Sequence, residues 1–557
     1  MKLRNLFAIA AATLSTANAA QASVEISANP TKNMNCSAGV CAPTDKNAIL
    51  NATDLANMLA SSDVKVVTGS GAVTITVSSS FSWTSTHRLT LDANLNVSFR
   101  APVEVTGQGA VTIVTNDGGT GGDLLFFPGA SLDFWETRSK LVINGKSFVL
   151  VNSVNSLAHN ANASPTGNFA LAKSYDAEHN KAYPNCPVTT AFLGTLEGLG
   201  HSIQNLKIKE QGHLIASAAL ICEIGAGGVV RDLGLINETL SSSKYDDGGG
   251  AALLAARNAG TVIHVSASGA VQVHFKNQSS GAGLVAVNTG AISDCRANAT
   301  VYAGQNNTGG GLVANNTGTI DSSYATGSVI AGYSGGLVGA NMGPTASIAW
   351  SHATGNIDGS YRAGGLAATN SGGATISNSF ATGPVTSAIA GGLLAINSAT
   401  VSSTYATGAV TSTYQFNAGG LIGQETGILQ NSYATGAVSG DNFEDSNGGL
   451  IGESSCSGAC GVESVYATGL VSGISLNGGL VGSEEDFQQN HFQSAYWDID
   501  TTGMAKGAGY PANDTDLIGL TDAQLKSGLP AGFDPAIWGQ KKTINNGYPY
   551  LLALPPQ

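Results

Sequence analysis

The sequence predicts an all-β protein: a right-handed, single-stranded parallel β-helix (β-solenoid) with a small mixed C-terminal cap. Three observations carry that expectation. A Gly-Leu step, mostly preceded by a second glycine, returns at Leu284, Leu312, Leu337, Leu366, Leu393, Leu421, Leu450 and Leu480, 25 to 30 residues apart. A second step, aromatic-Ala-Thr-Gly, returns at Tyr324, Phe380, Tyr405, Tyr433 and Tyr466, with His352 once in the aromatic place. The composition is 73 glycines in 557 residues, 42% hydrophobic but only 11% charged, which excludes both disorder and an ordinary charged surface. Helical repeats are excluded because each interior glycine would cost about 1 kcal/mol. Propeller blades are excluded by length, since they run to roughly 40–50 residues. Each repeat is therefore read as one coil of about three short strands, with glycines at corners that need positive φ or close packing.

Taken in order, Lys2 and Arg4, the apolar run Leu6–Leu14 and the small residues to Ala22 read as a secretory signal peptide over 1–22. Residues 23–50 form a polar leader. Residues 51–190 form an N-terminal β-helix region. It opens with a helical turn over Asp54–Leu59 capped by Thr53, followed by alternating strands at Val73–Val77, Leu89–Leu91 and Val111–Ile113. The strand pattern extends through Val149–Leu157 and Phe169–Leu171, and a junction is expected within 158–190. Residues 191–494 carry the repeats. Residues 495–557 form the cap, with a capping box at Thr521 and Gln524. Trp497, Trp538, Tyr548 and Tyr550 are expected to cover the open last edge.

Two rows should run through the repeats. Four residues after the leucine stands an asparagine, at Asn258, Asn288, Asn316, Asn341, Asn370 and Asn397. Stacked coils would hold these amides about 4.8 Å apart, close enough for a hydrogen-bonded ladder. The next positions, Glu425, Ser454 and Glu484, predict looser stacking or outward turns in the last third. The aromatic row, Tyr324, His352, Phe380, Tyr405, Tyr433 and Tyr466, either packs or presents a ligand-contact surface for sugar rings; His352 and Cys295 are read as its two substitutions. Export permits disulfides, with Cys36–Cys41 and Cys456–Cys460 as close pairs, Cys186–Cys222 as a further one, and Cys295 left over.

The unit Gly-Gly-Leu-Val/Ile-Gly followed by Ser-Tyr-Ala-Thr-Gly resembles the GLUG-motif repeats of filamentous-haemagglutinin-like bacterial surface and secreted proteins. "FLGTLEGLGHSIQNLKI" (192–208) resembles their connector. "AYWDIDTTG" (495–503), "LTDAQLKSGLP" (520–530) and "FDPAIWG…NNGYPYL" (533–551) resemble their closing module. The resemblance implies a β-helix and an adhesin-like role. The Asn-Pro-Asn export motif is not matched, since Asn29-Pro30 continues Thr-Lys-Asn, and His-Glu-x-x-His is absent.

Catalytic constellations are not found, and no cofactor is called for. The grouped carboxylates are Asp246-Asp247, Asp441/Glu444/Asp445 and Glu484-Glu485-Asp486; the last two sets are weak calcium candidates. Asp498 and Asp500 are read as cap residues. The net charge of −13, 24 basic against 37 acidic residues, argues against nucleic acid and anionic membranes. No mature segment reads as membrane-spanning. The expected role is a secreted or cell-surface adhesin that binds a host, surface or matrix polymer, glycan included, with self-association as a further option. The alternatives are a polysaccharide-degrading β-helix enzyme and a passive extracellular scaffold.

Overall fold

The computed structural model describes residues 23–556 except 70–71, 118, 120, 211–216, 243–248, 275–278, 414–415, 443–444, 456–459, 486–490 and 512–515. The described chain is all-β and coils as a parallel solenoid; it divides into two compact units, the first ending at Leu150 and the second beginning at Val151.

In the first unit, strands of three to five residues, most of them alternating buried and more exposed positions, stack in three parallel sheets. One sheet stacks Thr74–Val77, Val97–Phe99 and Leu124–Phe126; a second stacks Phe81–Trp83, Val103–Val105 and Leu132–Phe134; a third includes Val64–Val67, Arg88–Asp92, Ala110–Val114 and Lys140–Ile143. The leader joins this core. Ser23–Ser27 pairs in parallel with both Ala48–Asn51 and Thr74–Val77, burying Val24 and Ile26. The first helix spans Ala52–Leu59. Its cap is Asn51 rather than Thr53, because the Asn51 side chain accepts from the Thr53 and Asp54 N–H groups. The hairpin Met34–Ser37/Val40–Pro43 sets Cys36 opposite Cys41, and the two are bridged.

In the second unit, Val154–Ala163 is helix where the apolar pattern suggested strand. Ser153 and Ser156 form a capping box there, and Val154, Leu157 and Ala161 recur on one buried face. The coils that follow each contribute a strand to an 11-stranded parallel sheet running from Ile221–Ile224 to Ala508–Tyr510. Among the described residues the pairings between neighbouring repeat coils are parallel and mostly keep the repeat register, as in Val313↔Val338 and Tyr405↔Tyr433, with local shifts near Glu238, Gly304 and Tyr333. Leu284, Leu312, Leu337 and their equivalents fill one continuous interior with Val, Ile and Ala.

The glycines serve close approach at this step, not positive φ. A Cβ on Gly335 would strike the Val338 carbonyl oxygen, and one on Gly336 the Gly365 carbonyl, while neither backbone has positive φ. The left-handed corner of each coil is made by other residues: Asp232, His264, Asp294, Ser322, Trp350, Asn378, Ser403, Asn431, Ser464 and Ser494 all have φ between 46° and 56°. Asn and Asp tolerate this conformation, which the short polar side chain eases.

That kink turns the next N–H away from the regular ladder, and a row of hydroxyls receives it. Ser351 Oγ accepts from Ser323 N–H at 3.1 Å and donates to Ala349 O at 2.7 Å; Ser379 does the same for Ser351. Cys295 belongs to this row and not to the aromatic one. Its sulfur accepts from Val265 N–H at 3.4 Å and donates to Ser293 O at 3.1 Å, while Arg296 pairs with Tyr324. Burial pushes the Cys295 thiol up to about 12, so it stays protonated and unreactive. Cys186–Cys222 is a disulfide. Cys460 is disulfide-bonded, and Cys456 lies outside the described residues.

Candidate ligand-binding face

The asparagine row is buried at the inner side of a turn. Asn258 Nδ2 donates to Asn288 Oδ1 at 2.7 Å, and the same bond links Asn288 to Asn316 (2.7 Å), Asn316 to Asn341 (2.8 Å), Asn341 to Asn370 (2.9 Å) and Asn370 to Asn397 (2.9 Å). All donate in one direction, so the row ends on a free N–H₂ that needs an acceptor. Glu425 supplies it: Oε1 accepts from Asn397 Nδ2 at 2.8 Å and from Gly427 N–H at 2.7 Å. Burial pushes the Glu425 carboxyl up to about 8 against these hydrogen bonds. The coils beyond Asn397 are therefore neither looser nor turned outward. Asn397, Glu425, Ser454 and Glu484 stay in parallel register and are buried, and Glu484 pairs with His491 Nδ1 at 3.2 Å. Polar groups enter the interior here because each finds a partner, which removes most of the cost of burial.

The aromatic column lies on the outer side of the coil, apart from the aliphatic interior. Its rings stack one per coil. Centroid distances are 4.9 Å for Tyr324–His352, 4.7 Å for His352–Phe380, 4.8 Å for Phe380–Tyr405, 5.1 Å for Tyr405–Tyr433 and 5.0 Å for Tyr433–Tyr466, with interplanar angles from 1° to 14°. Tyr496 continues the register.

The closing module folds back over the later part of this column. Leu525, Phe533, Trp538, Tyr548 and Leu551 form a second apolar cluster with Phe380, Tyr405, Tyr433, Tyr466 and Tyr496. Trp538 Nε1 donates to Asn431 Oδ1 at 3.1 Å, Tyr466 Oη donates to Pro549 O at 2.6 Å, and Tyr496 Oη donates to Ala531 O at 2.8 Å. The module thus covers a flank of the solenoid. The last edge is filled by Trp497, which packs in the main interior with Leu517. The helix behind the capping box is short, Asp522–Leu525.

Among the ligand-contact candidates, Tyr405, Tyr433 and Tyr466 are consequently buried under the chain's own tail, and Phe380 is 5% exposed. Tyr324 and His352 are half-buried. Burial holds His352 below the ordinary histidine value, which keeps it a neutral ring in the stack. The stacking also limits how a sugar could bind. Sugar C–H groups seek the electron-rich face of a ring, and both faces of His352 are turned to neighbouring rings. Of the two rings outside the tail's cover, Tyr324 is first in the stack, and its second face is turned toward the coil of Arg296.

That face opens on a groove of about 430 Å³. The outward column that carries rings further on carries Ser266 and Arg296 here, and a second column two residues along each strand carries Ser268, Asn298 and Thr326. Leu235, Ile236, Ala267 and Ala297 complete the lining, with Ile236 exposed. Sequence reasoning missed the groove. The signal available was the loss of the aromatic residue at the positions before Tyr324.

Of the acidic candidates, Asp445 holds a turn together. Asp445 is buried and accepts from Phe416 N–H at 3.0 Å and Asn442 N–H at 2.9 Å. Glu485 is exposed. Asp441 is described, but Glu444, Asp486, Asp246 and Asp247 lie outside the described residues. Among the described residues no group of three or more His, Cys, Asp or Glu could hold a metal ion. Asp498 caps the helix Ile499–Thr502 and meets the Tyr548 hydroxyl at 3.0 Å, while Asp500 accepts from Asp522 N–H.

A titratable cluster that the sequence did not reveal joins Glu197, Arg231, Asp232 and His264 across three coils. Arg231 Nε lies 3.3 Å from Glu197 and 2.7 Å from Asp232, and His264 Nδ1 lies 3.2 Å from Asp232. Burial, and then the neighbouring Asp232, holds Glu197 well above the usual carboxylate range. At 2% exposure it is not presented to a substrate.

No protein-family model and no curated protein sequence matches the chain. Among solved structures, the chain is similar to an IgA1 protease at 21% identity and a TM-score of 0.31, over 50% of this chain and 20% of that one. It is also similar to a Bacteroides ovatus protein assigned provisionally as an immunoglobulin A1 protease, at 14% identity and a TM-score of 0.26, over 73% of this chain and 92% of that one. At these TM-scores neither likeness carries an argument about fold or activity.

Proposed function

We propose that the protein is a secreted or cell-surface β-solenoid of the adhesin-like, GLUG-repeat kind, and that it binds a cell-surface or extracellular polymer. One observation carries the reading: the groove beside Tyr324 crosses four coils, and its Arg296, Asn298 and Thr326 side chains have no hydrogen bond or ion pair among the described residues. Hydrogen-bonding groups left open beside the second Tyr324 face, on a rigid frame, suit a carbohydrate. The disulfides Cys36–Cys41 and Cys186–Cys222 support export to an oxidising compartment. Among the described residues no helix is long and apolar enough to cross a membrane.

The test is a glycan array with purified residues 23–557, followed by incubation of any bound glycan and assay for new reducing ends. Binding without cleavage is expected. Cleavage would replace the adhesin by a polysaccharide-acting enzyme and direct attention to the exposed acidic turns at Asp441 and Glu485. The absence of binding, together with concentration-dependent self-association, would favour a scaffold.

A further inference from the structure

We infer that the groove at Arg296 and Tyr324 selects a carboxylate-bearing pyranose, such as a uronic acid or a sialic acid residue; the inference rests on the polymer-binding reading above. The argument begins with the aromatic column. Each coil from Tyr324 to Tyr496 places a ring at the same register position, whereas the coils before it place Gly234, Ser266 and Arg296 there. The column therefore stops at Tyr324, and the groove lies where Arg296, Ser266 and Gly234 stand in place of rings on successive coils. A six-membered ring entering the groove would continue the stack against the second Tyr324 face.

Charge then selects among rings. Arg296 is exposed, is the only charged side chain lining the groove, and makes no ion pair among the described residues. It stands in a protein whose net charge is −13. Two acidic side chains sit close by on the coil corner. Asp294 is exposed two residues before Arg296, and Asp321 is held by Ser322 Oγ at 2.8 Å. Neither lies within the 4.0 Å of an ion pair with Arg296.

A guanidinium offers two parallel N–H donors that match a carboxylate. Ser266, Ser268, Asn298 and Thr326 supply the hydroxyls and amide that ring hydroxyls need. Ser268 Oγ is already anchored, donating to Leu235 O at 3.4 Å and accepting from Asn237 N–H at 3.2 Å, so it presents a fixed oxygen. The excess negative charge elsewhere acts at longer range and is screened beyond about 8 Å at physiological salt, which leaves the local contact to decide.

The experiment titrates residues 23–557 with trigalacturonate, 3′-sialyllactose and neutral maltotriose, by calorimetry or by ligand-observed NMR, for the native chain and for Arg296→Gln and Tyr324→Ala. The expected result is that at least one acidic probe binds better than maltotriose. Arg296→Gln should then weaken that probe by about tenfold or more while leaving maltotriose unchanged, because a charge-assisted pair is lost. Which acidic probe binds separates an in-chain uronate from a terminal sialic acid. Thermal unfolding of Arg296→Gln should match the native protein, since the side chain is exposed. Binding of maltotriose that is lost in Tyr324→Ala, with no acidic preference, would overturn the inference and leave the polymer-binding reading standing. Acidic binding that is indifferent to Arg296→Gln would also overturn it. No binding by any probe here, with none on the wider array, would remove both.

Discussion

Coils before Asn397 and coils after it follow the same backbone path, yet two positions per coil give them different fates. In the earlier coils the inner turn holds a chain of amides, and the outer column ends in half-exposed Tyr324 and His352. In the later coils the inner turn passes to Glu425, Ser454 and Glu484, and the outer column is tyrosine sealed beneath the closing module. The repeat fixes where a side chain points. It does not fix whether that direction ends in solvent, because that depends on what the rest of the chain lays over it.

Trp538→Ala should give the largest effect. The indole is 1% exposed and anchors the module through Asn431. Its removal is expected to cost about 3–5 kcal/mol, the usual range for truncating a buried large aromatic side chain. Limited proteolysis should then cut within residues 517–556 and amide exchange should rise there. A module that stays protected would show that the tail is held by something other than the aromatic column.

Next comes the pH dependence set by Glu425. Its carboxyl is raised in the folded protein from the ordinary 4.5 to about 8, so the fold binds this proton more tightly than the unfolded chain. The stability that the neutral acid contributes is complete below about 4.5 and is lost as pH rises through about 8. Glu425→Gln keeps an acceptor for Asn397 without the titration. Its unfolding temperature should fall less between pH 5 and pH 9 than that of the native protein, with an advantage of roughly 2–4 kcal/mol at the alkaline end. Parallel pH curves for the two proteins would contradict this account of how the ladder ends.

Ser351→Ala removes the oxygen that receives the buried Ser323 N–H. A loss of about 1–2 kcal/mol in denaturant unfolding is expected. An effect near zero would mean the kinked N–H finds another partner.

The smallest stability change is expected from Tyr324→Ala, under about 1 kcal/mol for a half-exposed ring against about 3–5 kcal/mol for Tyr433→Ala beneath the module. Equal costs at the two positions would erase the difference between open and covered halves of the column.

Much of this was written in the sequence, for a physical reason: a solenoid's neighbours are the same residues one repeat away, so a local period of 25 to 30 residues states the long-range contacts as well. The strands, the stacking and the run of asparagines from Asn258 to Asn397 are of that kind. Three features are not. The Cys295 position depends on a left-handed kink at Asp294, which moves the aromatic register to Arg296. The Glu197–Arg231–Asp232–His264 cluster gathers charges from three coils, and none of them stands out locally.

The tail's docking is the clearest case. The bonds Ser464–Gly532 and Trp538–Asn431 join residues 68 and 107 apart in a stretch that does not repeat. By itself, then, the sequence determined the parallel coil and what each repeat places inward and outward, since period and side-chain alternation act locally. Only the tertiary structure decided which outward rings are covered, and that a groove opens beside Tyr324. Those outcomes follow from apolar surface on a distant, non-repeating segment finding the one flank it can bury.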